Sequence, residues 1–130
     1  QLQGNIPSFV QQVFLQVVLL HSNQLTGSLD NVFDSTVQLQ VKTIVVANNQ
    51  LTGTLPEALF QLNLQTFVGT SNCFEGPLPI AAICDNRNMI SFVIDGMSSA
   101  SSCHNKLFLG SSAYSLEHAI GGTIPACLFQ

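Results

Sequence analysis

Few side chains in this 130-residue chain could carry catalysis: it has three histidines, seven acidic residues and four cysteines. The chain contains an internal repeat, and each copy is expected to contribute one strand to a sheet. His21 and Asp95 fall at the same position of copies that are three repeats apart, so they would lie roughly 14 Å from each other at ordinary strand spacing. That is beyond the hydrogen-bond reach of an acid–base pair. His104 and His118 lie in a serine-rich stretch typical of solvated linkers. No G-x-S-x-G, H-E-x-x-H or P-loop motif occurs, so we expect no enzyme, no catalytic residue and no cofactor.

The cysteines contain no C-x-x-C pair, so we expect no metal site. They are Cys73, Cys84, Cys103 and Cys127, and four cysteines allow three pairings. Cys84 and Cys103 lie on either side of one predicted strand. A disulfide between them would bond the repeat that contains this strand to the neighbouring repeat. We favour this bridge over a Cys73–Cys127 bond; the alternative is four buried free thiols. Even one bridge would indicate an oxidising compartment.

A short phrase repeats along the chain and predicts its architecture. It reads NQLTGSL at Asn23–Leu29, NQLTGTLP at Asn49–Pro56 and NCFEGPLP at Asn72–Pro79, with partial copies at Leu2–Pro7 and Ile120–Pro125. The glycines of the three full copies are 26 and then 23 residues apart. A repeat of about 20 to 29 residues built on L-x-x-L-x-L-x-x-N-x-L is the signature of a leucine-rich-repeat solenoid.

Each copy predicts the same local structure. The pairs Val18/Leu20, Ile44/Val46 and Phe67/Gly69 have the two-residue alternation of a short strand with one buried face. A structural ladder of inward-turned asparagines is expected at Asn23, Asn49 and Asn72, where the amides can bond backbone groups left unpaired by a tight turn. The glycine that follows suits a second turn. We predict an α/β-type repeat solenoid: a right-handed coil with a parallel sheet on its concave face and a mostly irregular or short helical convex side.

The phrases NQLTGSL, NQLTGTLPEALF and GGTIPACLF resemble the plant-type leucine-rich repeat, whose hallmark is LxxLxLxxNxLxGxIP. The segment from Ile83–Cys84 through FVIDGMSSASSCHN to IPACLF also resembles an irregular repeat in receptor-like leucine-rich-repeat proteins of diatoms. The resemblance implies an extracellular ectodomain that binds a ligand or partner. Such ectodomains are often tethered by a transmembrane helix and are sometimes attached to a kinase.

The regular repeat fails towards the C-terminus. Met97 takes the asparagine position of its repeat, and the next L-x-G-x-I-P phrase comes about 23 residues late. One interpretation is a degenerate repeat with a poor strand near Ala113–Leu116; the other is a convex-side insertion around residues 98–119. We favour the insertion, because His118 would otherwise occupy an asparagine position. We expect residues 1–130 to form one solenoid fragment of roughly five to six coils, cut within a repeat at both ends.

Composition and charge exclude several kinds of partner. The chain is 46 % hydrophobic with a mean hydropathy of +0.37, and its net charge is −4, with three Lys and Arg residues in all. Nucleic acids and anionic membrane surfaces are bound by clustered Lys and Arg, so we expect neither as a partner. The best apolar run, Val13–Leu20, is much shorter than a bilayer span, so we expect no membrane insertion by this segment.

Residues between the buried strand positions face outward and are the candidate ligand-binding residues. They form a hydroxyl-rich row, an aliphatic row and a mixed row on the predicted concave face. The candidates are Leu19, His21, Thr43, Val45, Thr66, Val68, Thr70, Ser91, Val93 and Asp95. One interpretation is that these rows only stabilise the sheet. The other is a shallow, neutral groove for a peptide or glycan, and the lack of Trp, Tyr and Arg anchors predicts weak binding.

The sequence therefore predicts a recognition module that binds a protein, peptide or glycan as part of an extracellular, receptor-like ectodomain with a role in signalling. The alternative is a secreted inhibitor, comparable to leucine-rich-repeat inhibitors of cell-wall-degrading enzymes, or a structural wall protein. Both hypotheses place the chain outside the cell or at its surface.

Overall fold

The computed structural model describes residues 2–94 and Cys127, a part of the chain that contains short strands and two short helices. The strands are β1 (Gln3–Asn5), β2 (Val17–Leu19), β3 (Gln24–Gly27), β4 (Thr43–Val45), β5 (Gln50–Thr54), β6 (Thr66–Val68), β7 (Cys73–Glu75) and β8 (Ser91–Val93). The helices α1 (Glu57–Gln61) and α2 (Ile80–Asp85) follow β5 and β7. The insertion expected around residues 98–119 lies outside the described residues.

The strands form two parallel sheets that take alternate strands along the chain. The first sheet has the order β2-β4-β6-β8, and the second sheet has the order β1-β3-β5-β7. Pairing in the first sheet is direct, so Val18 lies opposite Ile44, Ile44 opposite Phe67, and Phe67 opposite Phe92. These strands begin and end within one residue of the predicted apolar-x-apolar pairs. The two sheets of short strands are compatible with a repeat solenoid.

The second sheet differs from the sequence expectation, which placed a turn at the glycine after each asparagine. Gly27 ends β3 and Gly53 lies within β5, with φ of +83° and +80°. Glycine adopts these angles without strain. An added Cβ at Gly27 would lie 2.6 Å from Oδ1 of Asn5 in the neighbouring strand. We call a strand of the first sheet, the strand of the second sheet that follows it and the connection to the next repeat one coil. At these two positions glycine therefore permits close pairing between neighbouring coils, and the chain does not reverse there.

The core lies between the two sheets and the helices. It includes Val18, Ile44 and Phe67 from the first sheet and Leu25, Leu51 and Phe74 from the second, none of them more than 6 % exposed. The ring of Phe60 in α1 packs edge-to-face against Phe67 at 5.9 Å and Phe92 at 5.5 Å between centroids. Edge-to-face contacts stabilise aromatic pairs beyond their buried area, so this cluster anchors α1 to the first sheet.

Asparagine side chains join consecutive coils where the chain passes from the first sheet to the second. Oδ1 of Asn49 accepts a hydrogen bond from the backbone N–H of Leu25 in the preceding coil (3.0 Å). Its Nδ2 donates to the carbonyl of Leu20 in that coil (2.9 Å) and to Val46 in its own coil (3.0 Å). One side chain therefore bonds the backbones of two coils.

Asn72 repeats this pattern one coil later. Its Oδ1 accepts from the N–H of Leu51 (3.1 Å), and its Nδ2 donates to the carbonyls of Val46 (2.9 Å) and Gly69 (3.2 Å). Asn49 and Asn72 are at most 3 % exposed. The amides of Asn23, Asn49 and Asn72 thus form a ladder through the described coils, with Asn23 accepting from the N–H of Leu2 (2.9 Å).

The residue before each ladder asparagine turns the chain from one sheet to the other. Ser22, Asn48 and Ser71 have φ of +59°, +57° and +55°, in the left-handed region. Pairing between coils continues through this turn, since the N–H of Ser22 donates to Ala47 (2.9 Å) and that of Asn48 donates to Thr70 (3.0 Å). Each passage from the first sheet to the second therefore combines a left-handed turn residue with the hydrogen bonds of the ladder asparagine that follows it.

The connections from the second sheet back to the first differ from coil to coil. α1 and α2 begin directly after Pro56 and Pro79. The connection between β3 and β4 contains no helix and is held by the fully buried Gln38. Nε2 of Gln38 donates to the carbonyl of Phe9 (2.6 Å), and its Oε1 accepts from the N–H of Asp34 (2.7 Å). A buried amide again joins two coils.

The disulfide expected between Cys84 and Cys103 is wrong. Cys84 of α2 is bonded to Cys127, with Cα atoms 5.6 Å apart. This pairing also excludes a Cys73–Cys127 bond, and Cys73 is itself disulfide-bonded, so the alternative of four free thiols is wrong too. The two partners are 43 residues apart in sequence, so their pairing depends on the path of the chain through the fold.

We predict that Asn72→Ala lowers the free energy of unfolding by about 2–4 kcal/mol, because buried backbone groups on two coils lose a hydrogen-bond partner. Urea unfolding followed by circular dichroism measures the change. The matched control is Asn88→Ala at an exposed position, for which we expect a change below about 0.5 kcal/mol. Equal destabilisation by the two variants would contradict the role of the ladder.

We predict that replacing Cys84 and Cys127 together with serine destabilises the fold by roughly 4 kcal/mol. The bond joins residues 43 positions apart, and closing such a loop restricts the unfolded chain. Thermal unfolding without reductant should show a lower midpoint for the double variant than for the parent chain. An unchanged midpoint under those conditions would show that the bond does not stabilise the fold.

Candidate ligand-binding face

The outward side of the first sheet is defined by alternation within its strands. Because Val18, Ile44 and Phe67 are buried, the residues before and after each of them face away from the core. Strand pairing aligns the outward residues into two rows: Val17, Thr43, Thr66 and Ser91, then Leu19, Val45, Val68 and Val93. We call these the hydroxyl row and the aliphatic row, and the surface they share the first-sheet face.

The aliphatic row is an apolar strip open to solvent. Leu19 is 59 % exposed and Val93 is 38 % exposed, whereas Val45 and Val68 between them are half-buried. Contiguous exposed apolar surface is typical of sites that bind a partner. The β-branched valines also favour strand structure, so the same residues can stabilise the sheet and contact a ligand.

The predicted mixed row is only partly brought to this face. His21 is exposed, Thr70 is half-buried, and Ala47 is 7 % exposed. Asp95 lies outside the described residues, so its predicted distance from His21 stays a prediction. Nδ1 of His21 lies 3.4 Å from Oγ of Ser22. The described members of this row add one imidazole and one hydroxyl at the end of the strands.

A fourth row, which the sequence patterns had not revealed, borders the starts of the strands. It contains Gln16, Lys42, Gln65 and Ile90. The carbonyls of Gln16, Lys42 and Gln65 each accept hydrogen bonds from the next coil, which places these residues at equivalent positions. Lys42 is exposed and Ile90 is 80 % exposed. The repeat alignment could have revealed this row, since each member directly precedes an outward strand residue.

Negative charge in the described part of the chain is segregated from the first-sheet face. The acidic residues there are Asp30 and Asp34 between β3 and β4, Glu57 in α1, Glu75 in β7 and Asp85 in α2. None lies in a strand of the first sheet or in the rows that border it. Within residues 2–94, Lys42 is therefore the permanent charge beside the two rows.

Other features of the described surface carry less chemistry. A cleft of about 480 Å³ between α1 and α2 is lined by Glu57, Asp85 and Arg87, among others. Hydrogen bonds from the hydroxyl and the N–H of Thr36 lower the pKa of Asp34, which lies outside the first-sheet face. Residues 2–94 with Cys127 contain no group of three His, Cys, Asp or Glu side chains that could hold a metal ion.

In the part of the chain that the structure describes, no helix has the length and apolar character needed to cross a bilayer.

Comparison with known proteins gives a distant relationship. No family model matches the chain. Among curated proteins it is similar to Receptor-like protein 18 of Arabidopsis thaliana, with 29 % identity over 100 residues. The match covers 58 % of this chain and 12 % of the relative, so the chain corresponds to a small part of that protein's length.

Proposed function

We propose that this chain is a ligand-recognition segment of a leucine-rich-repeat protein and that the first-sheet face binds the ligand, a peptide, protein or glycan. The observation that carries the proposal is the aliphatic row, which crosses four strands in direct register and stays open to solvent. A rigid strip of this kind is preorganised for contact, because its backbone is already fixed by strand pairing.

The leucine-rich-repeat assignment is supported by the periodic motif together with the two parallel sheets and the asparagine ladder. Each ladder asparagine comes from the same position of the repeated phrase and bonds the same groups in the preceding coil. In this proposal the coil is right-handed and the first sheet lines its concave side. The similarity to a receptor-like protein supports a receptor-like role for the longer protein, with signalling as part of the proposal.

An extracellular or cell-surface location is supported by the disulfide chemistry. Cys73, Cys84 and Cys127 are disulfide-bonded, and such bonds persist in oxidising compartments. We propose binding without catalysis, because the described side chains of the first-sheet face and of the rows beside it are hydroxyl, aliphatic and amide groups with one lysine and one histidine. Such a set suits contact with a ligand better than proton transfer or nucleophilic attack.

We predict that Val45→Glu or Val68→Glu weakens ligand binding at least tenfold, since either variant places a charge where the ligand would exclude water. The two are tested one at a time, because like charges on directly opposite strand residues destabilise a sheet. The ligands are those recovered when the folded chain is screened against a random peptide-display library and a glycan array. Binding is then measured by biolayer interferometry.

The matched control is Val37→Glu, which makes the same exchange at an exposed valine between β3 and β4. It should bind as the parent chain does, and thermal unfolding should show that all three variants remain folded. Unchanged binding in both face variants, or equal loss in the control, would rule out the first-sheet face as the binding surface.

A further inference from the structure

The spacing of the aliphatic row restricts what can lie along it. Paired strands are about 4.8 Å apart, so the row from Leu19 to Val93 spans about 14 Å over three strand intervals. A helix with apolar residues at i, i+3 or i+4, and i+7 repeats them about every 5.3 Å along its axis. Alternate side chains of an extended chain repeat about every 6.7 Å. Over the three strand intervals of the row, the apolar side chains of a helix shift by about 1–2 Å relative to the side chains of the aliphatic row. Those of an extended chain shift by about 6 Å.

Backbone hydrogen bonding favours the helix as well. The N–H and C=O groups of β4 and β6 are used in pairing with strands on both sides. The first-sheet face therefore offers side chains to a ligand but little free backbone. An extended peptide laid on the aliphatic row would turn some of its own N–H and C=O groups towards apolar surface, where they lose water without gaining a partner. A helix bonds these groups internally.

The width and charge of the first-sheet face also favour a helical ligand. The hydroxyl row lies two residues along each strand from the aliphatic row, about 6.7 Å away, so a helix about 10 Å wide covers both rows. Lys42 stands next to the hydroxyl row between Gln16 and Gln65, while the described acidic residues lie in other parts of the coils. The side of the helix over the hydroxyls therefore meets a positive charge that no described acidic residue on this face offsets.

We propose that the partner of the first-sheet face is an amphipathic helix of about three turns in a protein or peptide, lying across the four strands. Its apolar ridge rests on Leu19, Val45, Val68 and Val93, and an acidic side chain on its flank faces Lys42. This proposal rests on the proposed function and specifies the class of ligand.

The test is selection from a phage library of random peptides of about 16 residues, panned on the folded chain and sequenced in depth. We expect enriched sequences to carry apolar residues at i, i+3 or i+4, and i+7, with Glu or Asp beside them, and to gain helical circular dichroism on binding. Enriched peptides with two-residue alternation, or with basic flanks, would overturn the helix proposal while the proposed function stands. Recovery of no peptide would overturn the helix proposal, whereas a glycan ligand that binds more weakly to Val45→Glu than to the parent chain would leave the proposed function standing.

Lys42 is tested with a selected peptide and a matched pair of variants, one to alanine and one to arginine. Lys42→Ala should weaken binding two- to fivefold and reduce its sensitivity to salt, and Lys42→Arg should restore both. The control is Arg87→Ala, which removes an exposed cation at the cleft between α1 and α2 and should leave binding unchanged. If Lys42→Ala binds with the affinity and salt dependence of the parent chain, the acidic flank is wrong.

Discussion

Stacking of the coils depends on how backbone groups are satisfied where the chain passes from the first sheet to the second. Strand pairing serves the groups within each sheet, but the chain bends at the passage and leaves buried backbone groups beside it, such as the N–H of Leu25 and of Leu51. Each such group left without a partner would cost about 1–3 kcal/mol. An asparagine amide carries both acceptor and donors on a short stem. Asn49 and Asn72 use them to accept from the preceding coil and to donate to carbonyls of two coils. Each asparagine therefore fixes one coil against the last.

The arrangement of side chains on the surface follows from this stacking of the coils. Because successive strands pair directly, residues at one position of the repeat become neighbours in space, and a repeated aliphatic position becomes a continuous strip. The buried neighbours of the strip, Ile44 and Phe67 among them, pack its strands against the core. The returning connections have no such periodic requirement, and they carry Asp30, Asp34, Glu57 and Asp85 of this acidic chain. Among the described residues, packing thus separates an apolar face beside Lys42 from the acidic side chains.

Local patterns predicted the first sheet well, because alternation around Val18, Ile44 and Phe67 needs no knowledge of distant residues. The second sheet was missed, since Gly27 and Gly53 lie in phrases that are also typical of turns, and only pairing with another coil makes them strands. The partner of Cys84 was missed because it depends on a chain path 43 residues long. Lys42 alone looks like an ordinary solvated lysine; its importance comes from its place beside the hydroxyl row, while the acidic residues that the structure describes lie in other parts of the coils.

The central claim is that the ligand contacts the outward side of the first sheet, whose coils are joined by the asparagine ladder. Methyl cross-saturation NMR, with a protonated ligand peptide selected on the folded chain and the chain itself methyl-labelled in a deuterated background, tests it most directly. We expect saturation transfer to the methyl groups of Leu19, Val45, Val68 and Val93. We expect none to Ile80, an exposed isoleucine of α2. Transfer centred on Ile80, with the aliphatic row unaffected, would contradict the claim.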